Sequence, residues 1–413
     1  MSKKKVVITG LGAITPVGNN VAEVWQNLIN GVSGVGLITK FDASVLPTHI
    51  AAEVKNFRAE DHFDAKEARK LDFYTQYAMV AAREAVKDAN LVPGSYDPNR
   101  VGVITGAGIG GILTFEEECV KAHTQGFRRI SPFFIPKMIG NIAAAHISIE
   151  HGFKGVNFNV MSACASANHA LGTAMRMIQY GDADIIVSGG MEAAVSPLAV
   201  GGFSAMRALS TRNDNPQAAS RPFDVDRDGF VMSEGSAILI LEELEHALKR
   251  GARIYAELSG YGATGDAYHI TAPTEDGEGS SRAIEAAIRD AGLKPEDIDY
   301  INAHGTSTTL NDKGETLSIK NSFGEHAYKL LINSTKSMVG HMLGAAAGIE
   351  AIVCVKSIET GIVHPTINLD NPDPACDLDY VPHKSRKFDV KAALSNSLGF
   401  GGHNSAIVIT KYL

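Results

Sequence analysis

Short apolar runs and longer amphipathic stretches alternate along this 413-residue chain. Val6–Thr9, Val101–Thr105, Ile185–Ser188, Ala237–Leu241, Ile298–Asn302, Leu330–Asn333 and Ala406–Thr410 are apolar and short, which predicts buried strands. Between them, Thr75–Ala89, Ala165–Tyr180, Ser280–Ala291 and Gly344–Ile358 repeat their apolar residues at helical period. The stretch Arg282–Ala291 runs into Gly292, a helix stop ahead of Leu293-Lys-Pro295. Such alternation implies an α/β fold on mainly parallel, buried sheets.

The order of elements echoes itself. The first half has a strand, a turn with Cys164, a helix, and a strand ending in Gly189-Gly190. The second has a strand, a turn with His341, a helix, then two strands about a glycine-rich turn in Leu394–Thr410. The halves meet near the charged segment Glu242–Arg253, which predicts an N-terminal half of residues 1–251 and a C-terminal half of 252–413. Length by itself suggests two or three domains.

Composition narrows the function. A hydrophobic content of 45% is ordinary for a water-soluble globular protein, and a net charge of −8 argues against a nucleic-acid-binding surface. A local basic patch remains open, with Lys66, Arg69 and Lys70 in one segment and Arg128, Arg129 and Arg207 elsewhere. Four cysteines without a CxxC pair argue against disulfides or a zinc site and fit a reducing cytosol. The opening Met1–Gly10 has too short an apolar run for a signal peptide, and the charge-poor stretches hold Asn, Ser and His, as buried core does and a membrane span does not.

Within this frame the chemistry-bearing positions stand out. Cys164 follows a strand-like run and opens a helix, flanked by Ala163, Ala165, Ser166 and Ala167. Small neighbours leave room for a bulky group, and unpaired amides at a helix start favour thiolate. His304 follows an apparent strand in Asn302-Ala-His-Gly-Thr-Ser-Thr308, a position at a sheet's C-terminal edge, and Thr306 and Thr308 offer hydroxyls to a polar arm. His341 closes Ser334-Thr-Lys-Ser-Met-Val-Gly-His341, where Lys336 needs a carboxylate partner, Glu315 and Asp312 being the candidates. Gly399, Gly401 and Gly402 around Phe400 would let an amide face an open site. One cysteine with two histidines suits thioester chemistry better than peptide hydrolysis.

Together these motifs resemble the β-ketoacyl-acyl-carrier-protein synthases, on the side of the type II elongating enzymes, over essentially the whole chain. The resemblance rests on the Gly155–Ala167 cysteine signature, the two histidine motifs and Gly399-Phe-Gly-Gly-His-Asn404, supported by Ala208–Pro222 and Pro365–Pro372. It implies the thiolase fold, two similar α/β halves in five α-β-α-β-α layers, and a homodimer in which Ser131–Pro136 serves the interface and acyl pocket. By this resemblance Cys164 would hold the acyl chain, and His304 and His341 would assist decarboxylation of a malonyl thioester. Lys336, paired with Glu315, would organise the site. The Cys164 and Phe400 amides would form an oxyanion hole. Phe400 would gate acyl loading, Ile109 would line the acyl pocket as in the type II enzymes, and Thr306 and Thr308 would bind the pantetheine arm. The resemblance further implies that Lys66, Arg69, Lys70, Arg128, Arg129 and Arg207 dock an acidic acyl-carrier protein. No cofactor or metal is implied, because the phosphopantetheine arm arrives on that carrier protein. Ala167 and Ala347 depart from the family by standing where glycine is usual. A thiolase would need a second cysteine where this chain has His403. A chain-length-factor subunit would lack Cys164; a polyketide ketosynthase would share all three residues, and freestanding length with Ile109 favours fatty-acid elongation.

Overall fold

The protein, as a computed structural model, is described over residues 3–413. Its principal strands are β1 (Val6–Ile14), β2 (Val101–Gly106), β3 (Asn157–Val160), β4 (Ile185–Ala193), β5 (Glu234–Glu243), β6 (Ala256–Gly265), β7 (Tyr300–Asn302), β8 (Leu331–Asn333), β9 (Ala392–Gly399) and β10 (His403–Thr410). Six helices pack on them: α1 (Phe73–Asp88), α2 (Ile142–His151), α3 (Ser166–Tyr180), α4 (Glu278–Asp290), α5 (Thr309–Phe323) and α6 (Ala346–Thr360). The strands run β8-β7-β9-β10-β6-β1-β5-β4-β2-β3. The join in the middle is slight, since β1 and β6 pair only through Val7 with Glu257 and Ile8 with Ala256.

On either side of that join the order is the same: third strand, second, fourth, fifth, first. The pairing sense is duplicated too. β2 runs parallel to β3 and β4, as β7 does to β8 and β9. The other pairings are antiparallel in both halves. Each half is therefore mixed, and the expectation of mainly parallel sheets is corrected. One cause is the β9–β10 hairpin, whose short Phe400–Gly402 connection can only reverse the chain.

Five layers follow from side-chain alternation. Along β2 and β4, Val103 and Val187 face a core shared with α1 and α2, while Ile104 and Ile186 face a second core containing α3 and α6. Along β9 and β10, Ala393 and Ile407 join that same central core, and Leu394 and Val408 face a third against α4 and α5. Helices α3 and α6 thus lie between the half-sheets. Gly292, with φ +71°, stands just past α4 as the sequence predicts.

β3 and β9 are placed from the turns beside them, and β6 is the principal strand with no sequence signal at all; glycine explains why. A Cβ at Gly260 or Gly262 would lie 2.2 Å from the Ala287 carbonyl oxygen or 2.1 Å from that of Ala283. The counterpart strand β1 repeats the device, with Gly10 and Gly12 at 2.3 Å and 2.0 Å from the Ala85 and Ala81 carbonyl oxygens of α1. Backbone meets backbone in both halves, and no side chain fits between.

Gly262→Ala is expected to cost about 3 kcal/mol of unfolding free energy, because neither strand nor helix can retreat. Gly202→Ala, where an added Cβ meets nothing within 4 Å, should stay within about 0.5 kcal/mol. Urea unfolding of the two variants against wild type measures the difference.

Candidate active site

Cys164 sits in a tight turn between β3 and α3, where Ala163 takes a left-handed φ of +49°. A non-glycine residue there costs about 1–2 kcal/mol, and local bonds hold it. Ser162 N–H donates to Ser166 Oγ at 2.9 Å, and that hydroxyl donates to the Ala163 carbonyl at 2.7 Å. The second half repeats the turn, with Leu343 at φ +47° before α6 and Gly344 at the place of Cys164.

Both histidines come from the other half, and His341 reaches Cys164. His341 Nε2 lies 3.1 Å from Cys164 Sγ, and the rings of His304 and His341 meet edge to face with centroids 5.5 Å apart. Both histidines are 3% exposed, so the contact is shielded from bulk water. His341 Nδ1 accepts from Leu343 N–H at 3.2 Å, which leaves the ring proton on Nε2. Lys336 Nζ faces His304 Nδ1 at 3.4 Å; an ammonium only donates, so His304 also carries its proton on Nε2. Both imidazoles are held well below their ordinary range, first by burial and then by the Lys336 cation.

Lys336 corrects one expectation. Its partner is Glu350 on α6, not Glu315 or Asp312. Both side chains of this pair are 1% exposed, and burial pushes the Glu350 carboxyl up to about 7 against the pull of Lys336. Asp312 accepts from Phe223 N–H at 2.9 Å and lies 3.5 Å from Arg227. Glu315 instead accepts the His304 and Gly305 amides at 2.6 and 2.7 Å and the Asn396 side chain at 2.8 Å. It fixes the backbone that carries His304. Burial raises its carboxyl to about 7 as well.

The expectation of a resting thiolate is also corrected. Burial pushes the Cys164 thiol up to about 12, although Lys336 and the Phe400 amide, which donates to the sulfur, pull it down. At neutral pH the side chain is a thiol.

One cavity of about 400 Å³ joins these groups. Cys164, His304, His341 and Phe400 line it, as do Ile109, Thr306, Thr308 and Arg207. Thr306 and Thr308 share a hydroxyl hydrogen bond of 2.8 Å, and the Phe400 ring packs 6.3 Å from Phe203. The other basic residues stand away from the cavity wall. Lys66, Arg69, Arg128 and Arg129 are exposed, and Lys70 Nζ lies 5.6 Å over the Phe133 ring. Among the described residues no His, Cys, Asp and Glu side chains cluster to hold a metal ion. The sequence reading missed Glu350 and Asn396. Glu350 had a signal: it is the lone carboxylate in the apolar stretch Ala346–Val355. Asn396, in a strand of small polar residues, had none.

Family models for the N-terminal and C-terminal domains of β-ketoacyl synthase match residues 3–247 and 255–370. The chain belongs to the β-ketoacyl synthase family. It is 53% identical to 3-oxoacyl-[acyl-carrier-protein] synthase 2 of Staphylococcus aureus (strain COL) over 409 residues, 99% of each chain. It is also 53% identical to the Synechocystis sp. enzyme of the same name over 412 residues, 100% of this chain and 99% of that one. Among solved structures it superposes on a ketosynthase bound to a hexaketide and complexed with its type II polyketide acyl-carrier protein, at TM-score 0.92, 40% identity and full coverage of both chains. The ishigamide ketosynthase/chain length factor aligns at TM-score 0.93 and 35% identity, again over the whole of both chains. The thiolase fold of these ketosynthases is the fold described above.

A thiol held up to about 12 gains thiolate tenfold per pH unit throughout the neutral range. The rate of Cys164 alkylation by iodoacetamide is therefore expected to climb with slope near one from about pH 6 to about pH 9 without levelling. A plateau near neutrality would show a thiolate already formed.

Proposed function

We propose that the chain is a 3-oxoacyl-[acyl-carrier-protein] synthase, an acyltransferase that lengthens a fatty acyl chain by two carbons through decarboxylative condensation with malonyl-carrier protein. The carrying observation is the approach of His341 Nε2 to Cys164 Sγ at 3.1 Å, with His304 facing the same cavity.

In the first half-reaction Cys164 sulfur attacks the acyl thioester carried on the phosphopantetheine arm. Negative charge develops on the carbonyl oxygen, and the Cys164 and Phe400 amides receive it. The intermediate collapses onto Cys164, and the departing pantetheine sulfur takes the thiol proton. The malonyl thioester then enters, its arm along Thr306 and Thr308. Loss of carbon dioxide sends an electron pair toward the thioester carbonyl, where His304 and His341 donate from Nε2. Neutral imidazoles suit this task, because each keeps one N–H to donate while Nδ1 is occupied. The carbanion carbon attacks the Cys164 thioester and expels the thiolate, beside the His341 Nε2–H. That thiolate regains a proton from water, so each turn consumes one.

Lys336 and Glu350 act on the two imidazoles without touching substrate, and Glu315 holds the His304 backbone. Ile109 bounds the acyl pocket and Phe400 turns aside as the chain loads. The basic residues Lys66, Arg69, Lys70, Arg128, Arg129 and Arg207 supply a docking surface for an acidic acyl-carrier protein. The protein works with no bound cofactor. It pairs with a second copy through β3, which has only β2 beside it, and through the Ser131–Pro136 segment, where Phe133 and Ile135 are exposed. No helix among the described residues is long and apolar enough to cross a membrane, which is compatible with work in the cytoplasm. Fatty-acid elongation is favoured over polyketide assembly because the full-length relatives at 53% identity carry the fatty-acid enzyme's name, while the polyketide ketosynthase is at 40%.

Incubation with a long-chain acyl-carrier protein should add one acyl mass to Cys164, read by intact mass spectrometry. An unchanged adduct in Cys164→Ala would sink the assignment. Carbon dioxide release from malonyl-carrier protein should fall by about 10²–10³-fold in His304→Ala and in His341→Ala. Wild-type release in both would remove their role.

A further inference from the structure

Glu192, at the end of β4, takes no step in the chemistry above, although its charge adds to the burial that raises the Cys164 thiol. It is fully buried, yet among the described residues no lysine, arginine or histidine pairs with it. A carboxylate placed so must be repaid by hydrogen bonds, or its burial is a large net cost. Its partners are all backbone amides. Gly108 donates at 2.8 Å, Ile109 and Gly110 at 3.1 Å each, and Gly344 at 3.1 Å. Burial pushes this carboxyl up to about 7 even with these four amides opposing it.

The two segments it joins come from opposite halves and both reach the cavity. Gly108 and Ile109 follow β2 and line the wall, and Leu343, beside Gly344, lines it from the other side. Leu343 N–H in turn holds His341 Nδ1 at 3.2 Å. The fit leaves no space for adjustment. A Cβ on Gly108 would lie 2.5 Å from Glu192 Oε2, and one on Gly344 would lie 2.1 Å from the Gly108 amide nitrogen. The arrangement parallels Glu315, which accepts the His304 and Gly305 amides after β7, the counterpart of β2. Each half thus wraps the loop after its second strand around a buried carboxylate.

We propose that Glu192 is a positioning residue for acyl-chain selection: it fixes the Ile109 wall against the Leu343-Gly344 turn, and so sets the length of chain that Cys164 accepts. The proposal deepens the condensing-enzyme reading by naming what determines its acyl specificity. A glutamine at this place keeps the shape but turns two donor hydrogens toward amides that also donate. The wall at Ile109 then loses its anchor while Cys164, His304 and Phe400 keep their own bonds.

The test uses the full-length protein and alkyl methanethiosulfonates of increasing chain length, which form a disulfide with Cys164 and release methanesulfinate. Labelling needs only the thiol and the pocket, so it stands apart from condensation. Wild type is expected to discriminate among chain lengths, and Glu192→Gln to shrink that discrimination by about tenfold, the worth of a methylene in a hydrophobic pocket. Ile109→Ala should alter the profile in wild type but add little on top of Glu192→Gln, since both act on one wall. Glu242→Gln is the control for lost stability alone, because Glu242 is equally buried but bonds Arg250, His246 and Thr9 instead. Its profile should match wild type. If Glu192→Gln fails to fold, Glu192→Asp, one methylene shorter, should give the same flattening. A wild-type profile in whichever Glu192 variant folds, or full additivity with Ile109→Ala, would overturn the proposal. Normal length discrimination in labelling with no condensation by wild type would overturn the activity reading and leave this one standing.

Discussion

Everything at the site hangs on a charge taken out of water. The Lys336–Glu350 pair lies at the middle of the molecule, each side chain 1% exposed, and burying two ions costs several kcal/mol before their attraction returns any of it. Two well-packed apolar residues would serve stability as well. What they would not supply is a fixed positive field behind His304. That field, with burial, keeps both imidazoles neutral, and the Lys336 ammonium occupies the nitrogen that must not carry the proton. Glu315 does the complementary work on the backbone of the same loop. The His304 tautomer follows from this ion pair, the His341 tautomer from the Leu343 amide, and the absence of imidazolium from burial reinforced by Lys336.

Much of this was legible in the residues, and the boundary is a physical one. Strands such as β2, β4 and β5 are buried on both faces and read as apolar runs. β6 is glycine-rich for close helix contact, which erases the apolar signal that marks a strand. Cys164, His304 and His341 were legible because each stands in a glycine- or alanine-framed turn of distinctive composition. Their mutual distance was not, since it depends on how β3, β7 and β8 are placed across two half-sheets. The Lys336 partner failed for a local reason. Glu350 is nearer to it in sequence than Glu315 or Asp312, but the residues alone do not show that α5 turns those two toward the His304 loop and the Phe223 amide, whereas α6 carries Glu350 back to Lys336. The thiolate expectation failed because a helix start was weighed without the dehydration that comes with a closed site.

Duplication gave the molecule two of everything and use has divided them. Both halves have a strained turn ahead of a central helix, at Ala163 and at Leu343. In the first the next residue is Cys164; in the second it is Gly344, and the turn's amide holds the imidazole of His341. One half supplies the sulfur and the other the two imidazoles. Neither half alone contains a working set, so the interface between them is as much a part of the chemistry as any side chain.

The neutral state of Cys164 has a bearing on survival as well as on rate. Peroxides and adventitious electrophiles attack thiolates, and a cysteine pushed up to about 12 offers them almost none. In the proposed mechanism the thiol becomes reactive only when a bound thioester supplies an oxyanion for the waiting amides and a departing sulfur to take the proton. A cysteine that is latent as a thiol is thereby spared side reactions with stray electrophiles.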